Sequence, residues 1–192
     1  MTDVQMTRQS RLGKRPIVVP KGVKVAIADG RCDVEGPKGK LQIEIPQNVV
    51  VNQEGDSLHV LSDAPESDAP RLQGLARALI ASVVKGAAEG YTKTLELHGT
   101  GYRAELSGSK LTCLVGRSHP CVIELPANIS CDIPKDSKGT VVHLSSPDKA
   151  ALGQIAATIK GFRVPEPYGG KGIRFRGEQI RRKAGKAGKG RK

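Results

Sequence analysis

An internal repeat constrains the fold of this chain more than any other feature of the sequence. Residues 44–48 resemble residues 124–128, and residues 80–86 resemble residues 155–161, in the same order in both halves. Each half offers short strand-like segments followed by one amphipathic helix, a pattern typical of a sheet covered by that helix. The sequence therefore predicts an α+β fold of two similar domains from an internal duplication. Each domain is expected to be a small, mostly antiparallel sheet covered by one helix.

The first half carries alternating apolar residues between glycine-rich turns. This pattern predicts strands at residues 23–27, 31–35, 41–45 and 57–61. A helix is predicted to begin near Asp68 and Pro70. Apolar residues at helical spacing then predict the stripe that the helix buries against the sheet: Leu72, Leu75, Leu79 and Val83.

The second half repeats this organisation. Strands are predicted at residues 94–98, 102–106, 111–115, 122–125 and 141–144. Its helix has Ser146 as candidate N-cap, Pro147 in the first turn and a predicted buried stripe of Leu152, Ile155, Ile159 and Phe162. Beyond that helix, closely spaced prolines and glycines are expected to interrupt any regular element.

Positive charge is concentrated at the two ends of the chain. The formal net charge is +12, with +5 in residues 1–25, +10 in residues 160–192 and −3 between them. A mildly acidic body with basic ends is typical of a scaffold that presents cationic segments to a polyanion. We predict a basic N-terminal extension at 1–20, domains at 21–90 and 91–164, and a glycine-rich basic arm at 165–192.

Several functional classes are not favoured by the sequence. No apolar stretch approaches the roughly 18 residues of a membrane span, and residues 1–10 lack the apolar run of a signal peptide. The tail has neither an amphipathic helix nor bulky apolar residues for a membrane surface. We therefore expect a soluble cytoplasmic protein without a membrane partner.

No motif predicts a cofactor, a metal or a catalytic residue. The cysteines form no C-x-x-C pair and the histidines are scattered singly, so a zinc site is not expected. Residues 99–104 fit the dinucleotide pattern G-x-G-x-x-A, but Gly108 and Ser109 break the segment before a helix can form. Neither residues 36–40 nor residues 170–172 have the spacing of a phosphate-binding loop, and the H-E-x-x-H and G-x-S-x-G motifs are absent. We expect no small-molecule substrate.

The low aromatic content indicates how such a chain would recognise RNA. Aromatic residues make up 3% of the sequence and tryptophan is absent. Proteins that read single strands usually stack bases on aromatic side chains. The sequence therefore favours recognition of the shape and backbone of folded RNA, with Arg and Lys on phosphates and Gly allowing close backbone approach.

Several motifs together resemble one known family. Residues 10–17 and 34–41 look like the start of large-subunit ribosomal protein six of the bacterial type. Three later stretches agree: residues 99–104 with the turn 116–120, residues 165–174, and residues 181–187. The resemblance extends in order over residues 10–192.

The resemblance implies a non-enzymatic constituent of the large ribosomal subunit that binds 23S-type rRNA mainly through its C-terminal domain and tail. It further implies a place near the base of the acidic-protein stalk and the sarcin–ricin region, beside neighbouring large-subunit proteins and translational GTPases. Carried over by position, the rRNA-binding residues are Lys160, Arg163, Tyr168, Lys171, Arg174, Arg176, Arg181, Arg182, Lys183 and Lys186. Arg103 and Arg117 would supply the charges of a second face.

The sequence leaves two other functional classes open. A nucleotide-dependent enzyme using residues 99–104 would bind a dinucleotide, and a free-standing chaperone or regulator would bind unrelated structured RNAs equally well. The native start at Met1 or Met6 is likewise open. A bacterial ribosome is favoured over an organellar one because no transit peptide is evident.

Overall fold

The computed structural model describes residues 9–28, 30–65 and 67–185, which form thirteen strands, two α-helices and one short 3-10 helix at Lys135–Ser137. They divide into two compact units, the first reaching Gly90 and including Pro147–Lys149, the second comprising Tyr91–Ser146 and the residues from Ala150 onward. All strand pairings within these residues are antiparallel. The predicted α+β fold is confirmed. Neither α-helix of the described chain is long and apolar enough to cross a membrane.

The first unit packs one helix against two three-stranded sheets. Its elements are β1 (Ile17–Val18), β2 (Lys24–Ala28), β3 (Arg31–Gly36), β4 (Gly39–Glu44), β5 (Val49–Glu54), β6 (Ser57–Ser62) and α1 (Ala69–Ala88). The sheets have the orders β2-β3-β4 and β1-β6-β5. The sequence analysis missed β1, which is very short, and β5, where three successive valines break the alternation expected of a half-buried strand.

The buried stripe of α1 differs from the predicted one. Instead of Leu72, Leu75, Leu79 and Val83, the residues buried against the sheets include Gln73, Ala76, Ile80, Val84 and Ala87. Leu75 is 48% exposed. The small Ala76 and Ala87 let the helix backbone approach the strands, and a Cβ on Gly36 would lie 2.4 Å from the Ala87 carbonyl oxygen. Close backbone approach, rather than the largest side chains, therefore sets the orientation of this helix.

The second unit contains two further sheets and one helix. Its elements are β7 (Tyr91–His98), β8 (Arg103–Ser107), β9 (Lys110–Leu114), β10 (Cys121–Glu124), β11 (Ser130–Asp132), β12 (Val141–Ser146), α2 (Lys149–Phe162) and β13 (Gly172–Phe175). The sheets have the orders β10-β9-β8 and β11-β12-β7-β13. Leu95, Leu144, Leu152, Ile159 and Ile173 are fully buried in one core. Each such side chain contributes about 1.5–3 kcal/mol by leaving water.

The buried stripe of α2 largely agrees with the predicted one. The helix begins at Lys149, three residues after Ser146, which is the last residue of β12. Leu152 and Ile159 are buried as predicted, together with Ala156. Ile155 and Phe162 are partly buried at the margin of the core.

A strand within the predicted arm is the largest correction to the sequence analysis. β13 pairs with β7 and forms the edge of the four-stranded sheet, with Gly172 opposite His98 and Phe175 opposite Leu95. The expectation that prolines and glycines interrupt every regular element after α2 was therefore wrong. These residues flank a strand whose Ile173 is completely buried, and burial of that side chain favours the pairing.

Candidate nucleic-acid interface

The segment between α2 and β13 is a loop closed by its own backbone. The N–H of Ile173 donates to the carbonyl oxygen of Arg163 at 2.8 Å, and that of Glu166 donates to Lys171 at 2.9 Å. The Glu166 carboxylate accepts the N–H of Gly169 at 2.9 Å. These bonds satisfy backbone groups locally, and Arg163, Tyr168 and Lys171 are exposed to solvent.

The chain that follows β13 returns to this loop. The N–H of Lys183 donates to the carbonyl oxygen of Pro167 at 2.9 Å. The guanidinium of Arg182 lies over Gly170, where a Cβ would be 3.0 Å from Nη2. Gly170 has a φ of +74°, a conformation that glycine adopts without strain. Residues 181–183 are thereby placed beside the loop.

These contacts bring together six of the residues predicted to bind rRNA, here termed the basic cluster: Arg163, Tyr168, Lys171, Arg181, Arg182 and Lys183. All six are exposed, and Tyr168 as a whole residue is 58% exposed. Within the described parts of the chain, no carboxylate forms an ion pair with a cation of this cluster. The cluster is an exposed cationic surface suited to phosphate groups.

Lys160, in contrast, has partners within the protein. Its ammonium lies 2.5 Å from Oε1 of Glu178 and 5.0 Å from the centre of the Phe175 ring, and the side chain is only 24% exposed. Glu178 also accepts the N–H of Phe175 through Oε2 at 3.1 Å. The bonds from Lys160 and Phe175 hold the pKa of the Glu178 carboxyl below its usual value. Through these two bonds, Glu178 connects Phe175 at the end of β13 to Lys160 in the last turn of α2.

We expect Glu178→Gln to destabilise the protein by about 1 kcal/mol at pH 7, since it weakens a charge-assisted bond. The lowered native pKa means that the carboxylate stabilises the fold above pH 4.5 and that this contribution is lost as pH falls through the native pKa. Urea unfolding measures the free energy of unfolding of the unmodified protein and of Glu178→Gln at pH 7 and near pH 3. The difference in free energy between the two proteins should be smaller near pH 3. Glu105→Gln, which breaks only an exposed pair with Arg103, is the control. Equal effects of the two variants at pH 7 would contradict the role of Glu178.

Arg174 belongs to a polar network on the sheet. Its Nε lies 3.7 Å from Oε2 of Glu96, and its Nη2 donates to Nδ1 of His98 at 3.3 Å. Nε2 of His98 in turn lies 3.0 Å from the same Glu96 oxygen. Arg176 is exposed, and its backbone N–H donates to the Thr94 carbonyl oxygen at 2.9 Å. Binding of rRNA by Lys160, Arg174 and Arg176 stays a prediction, and Lys186 lies outside the described residues.

The two loops predicted to form a second face meet around one aromatic ring. Tyr102 is buried, and a Cβ on Gly99 or Gly116 would lie 2.8 Å or 3.1 Å from its ring. Because Gly172 pairs with His98, the loop that begins at Gly99 lies at the same end of the sheet as Lys171. This end of the sheet therefore carries both loops. Arg103 forms an exposed ion pair with Glu105 at 3.0 Å.

Two cysteine thiols of the second unit are held in their protonated form. Cys113 and Cys121 are buried directly opposite each other on β9 and β10. Burial raises the pKa of Cys113 to about 12 and that of Cys131 to about 11, so both thiols are protonated at neutral pH. In residues 9–28, 30–65 and 67–185 no group of three potential metal ligands is found.

Sequence reasoning missed the residues that position this surface. Glu178, Glu96, His98 and Tyr102 were not singled out as functional. Glu178 offered a signal, because it is one of only two carboxylates among the many cations of residues 160–192. The roles of Glu96 and His98 depend on the pairing of β7 with β13, which local patterns do not reveal.

Comparison with known families agrees with this arrangement. The family model of ribosomal protein L6 matches residues 19–90 and 98–176, one stretch in each half of the duplication. The chain belongs to the ribosomal protein L6 family. As a member of the ribosomal protein L6 family, it is a structural, non-enzymatic constituent of the large ribosomal subunit.

Bacterial relatives match almost the full length of the chain. The large ribosomal subunit protein uL6 of Flavobacterium johnsoniae is 48% identical over 179 residues, covering 93% of this chain and 99% of that protein. The protein of the same name from Syntrophomonas wolfei is 46% identical over 179 residues, covering 93% of this chain and 98% of that protein. That from Synechocystis is 45% identical over 180 residues, covering 94% and 99%. The similarity to ribosomal protein L6 therefore includes both units.

Proposed function

We propose that this protein binds folded 23S-type rRNA through the basic cluster of its second unit. The observation that carries the proposal is the convergence of Arg163, Lys171 and residues 181–183 on one exposed surface that lacks carboxylate partners within the described chain. Cations of the cluster that bind RNA phosphates would displace the counterions condensed on the RNA, and release of those ions would favour binding.

The surface suits a folded RNA backbone better than an unpaired strand. The arginines can each donate two parallel hydrogen bonds to a phosphate. Tyr168 is the single aromatic residue of the cluster, so stacking on successive bases is not available. The bonds that close the loop fix its backbone before RNA arrives, which lowers the entropic cost of binding.

In this proposal, residues 21–90 and 91–164 form most of the two domain bodies, and the basic segments at 1–20 and 165–192 contribute the strands β1 and β13 to their sheets. Arg103 and Arg117 add the charges of a second face around the Tyr102 loops. The family resemblance supports a cytoplasmic ribosome, a position near the stalk base and the sarcin–ricin region, and neighbouring large-subunit proteins and translational GTPases as partners. The shared end of the sheet at Lys171 and Gly99 supports one continuous RNA surface.

Cross-linking of purified large subunits, followed by mass spectrometry of RNA-linked peptides, tests this proposal. We expect peptides containing Lys171 and Lys183 to carry nucleotides, and the linked positions to map to the sarcin–ricin region and the stalk base. A peptide containing Lys110, which pairs with Glu124 at 3.1 Å, serves as internal comparison. Adducts at Lys110 without adducts at Lys171 or Lys183 would contradict the proposed interface.

A further inference from the structure

A second exposed cationic surface lies in the first unit, at residues 10–15, here termed the N-terminal turn. The N–H of Lys14 donates to the Ser10 carbonyl oxygen at 3.3 Å, and that of Gly13 donates to the Ser10 hydroxyl at 2.7 Å. The N–H of Arg15 donates to the carbonyl oxygen of Leu12 at 3.1 Å. The segment is therefore a compact turn, whereas a solvated charged tail would leave these backbone groups to water.

A buried glutamine fixes this turn to α1. Gln73 is 3% exposed; its Oε1 accepts the N–H of Ser10 at 2.9 Å, and its Nε2 donates to the carbonyl oxygen of Val60 at 2.9 Å. Gly13 is buried against the same side chain, where a Cβ would lie 2.4 Å from Cδ. Burying an amide is costly unless both of its ends are bonded, as they are here. Gln73 thus joins the turn to both the helix and the sheet.

The turn directs cations away from the protein. Arg11, Lys14 and Arg15 are all exposed, and none of them forms an ion pair with a carboxylate of the described residues. Nε of Arg77 donates to the Arg15 carbonyl oxygen at 3.4 Å, which adds a fourth positive group beside the turn. Two other cations of this unit, Lys40 and Arg31, each have a carboxylate neighbour on the adjoining strand.

We propose that the N-terminal turn is a second binding site for RNA phosphates, built into the first unit and held in place by Gln73. The inference rests on the proposed function, because it assumes that 23S-type rRNA is the polyanion. RNA fits this surface better than a protein partner, since Leu12 is the only large apolar side chain exposed on the turn and protein interfaces bury apolar centres. Dense arginine and lysine on a fixed backbone are typical of phosphate contacts.

Two matched triple variants of the full chain test the site. The first is Arg11→Gln, Lys14→Gln and Arg15→Gln; the control is Lys21→Gln, Lys24→Gln and Lys38→Gln, which removes equal charge from exposed residues of the same unit. Binding to in vitro transcribed 23S-type rRNA is measured at several salt concentrations. We expect the turn variant to bind on the order of tenfold to a hundredfold more weakly than the control at near-physiological salt. Its salt slope should be smaller than that of the control by about two.

A third variant, here termed the arm variant, combines Arg181→Gln, Arg182→Gln and Lys183→Gln and is measured alongside. Its result separates this inference from the proposed function. If the turn variant is weakened and the arm variant is not, the turn site stands and the proposed cluster fails. A turn variant that matches its control overturns the turn site, whatever the arm variant does. A turn variant that binds free rRNA like the control, yet is lost from assembled subunits, would assign the turn to a protein partner and also overturn the RNA site.

Discussion

Replacing Arg181, Arg182 and Lys183 with glutamine is expected to weaken binding to 23S-type rRNA by roughly tenfold to a hundredfold at near-physiological salt. The three side chains lie beside the loop of the basic cluster, where Lys183 is bonded to Pro167 and Arg182 covers Gly170. Each phosphate contact that is lost should lower the slope of log affinity against log salt by about 0.7–0.9. Filter binding at four or more salt concentrations measures both quantities.

The matched control removes equal charge from exposed lysines elsewhere in the same unit, by Lys110→Gln, Lys135→Gln and Lys138→Gln. Long-range attraction depends on total charge, so both variants should lose the same part of the association rate. Only the arm variant should lose direct contacts and dissociate faster. Equal affinities and slopes for the two variants would show that the arm acts through bulk charge alone.

The second large effect is expected from Gly172→Ala, which should destabilise the protein by about 2–3 kcal/mol. Gly172 has a φ of +142°, and a Cβ there would lie 2.6 Å from the Pro165 Cα. The positive φ and the close Pro165 Cα are both features of the backbone. No side chain can therefore move aside to relieve the strain. The loop would have to shift away from β13, and rRNA binding should weaken because Lys171 immediately precedes the substituted residue.

Gly177→Ala provides the control for this prediction. Gly177 also has a positive φ, of +81°, but no atom lies within 4 Å of its would-be Cβ. Its substitution should cost about 1 kcal/mol from backbone strain alone and leave the loop in place. Urea unfolding and rRNA binding of both variants measure the two effects. If Gly172→Ala were as stable as Gly177→Ala, the close approach of β13 to Pro165 would not restrain the loop.

The repeat and the strand patterns predicted the fold class correctly because both can be read directly from the order of residues in the sequence. The periodicity of α1 identified the helix but not its buried face. Ala76 and Ala87 lie on that face because they are small, whereas the prediction followed the large apolar residues. β13 could not be predicted because four residues between glycines and prolines carry little strand signal. Its partner β7 is supplied by a distant part of the chain.

The candidate site shows the same division between local and distant information. Charge density and the family resemblance identified the cations of the arm. They could not distinguish Lys171, which is exposed, from Lys160 and Arg174, whose carboxylate partners Glu178 and Glu96 are set by tertiary structure. Gln73 escaped notice because a glutamine within a helix is ordinarily a surface residue.

The pairing of β13 with β7 makes the proposed RNA surface a late product of protein synthesis. β7 opens the second unit, and β13 is the last strand of the described chain. Until residues 172–175 have emerged and joined the sheet, the loop of the basic cluster has no fixed edge on which to close. In the proposed function, the basic cluster can therefore bind rRNA as an organised surface only after residues 172–175 have been synthesised and paired with β7.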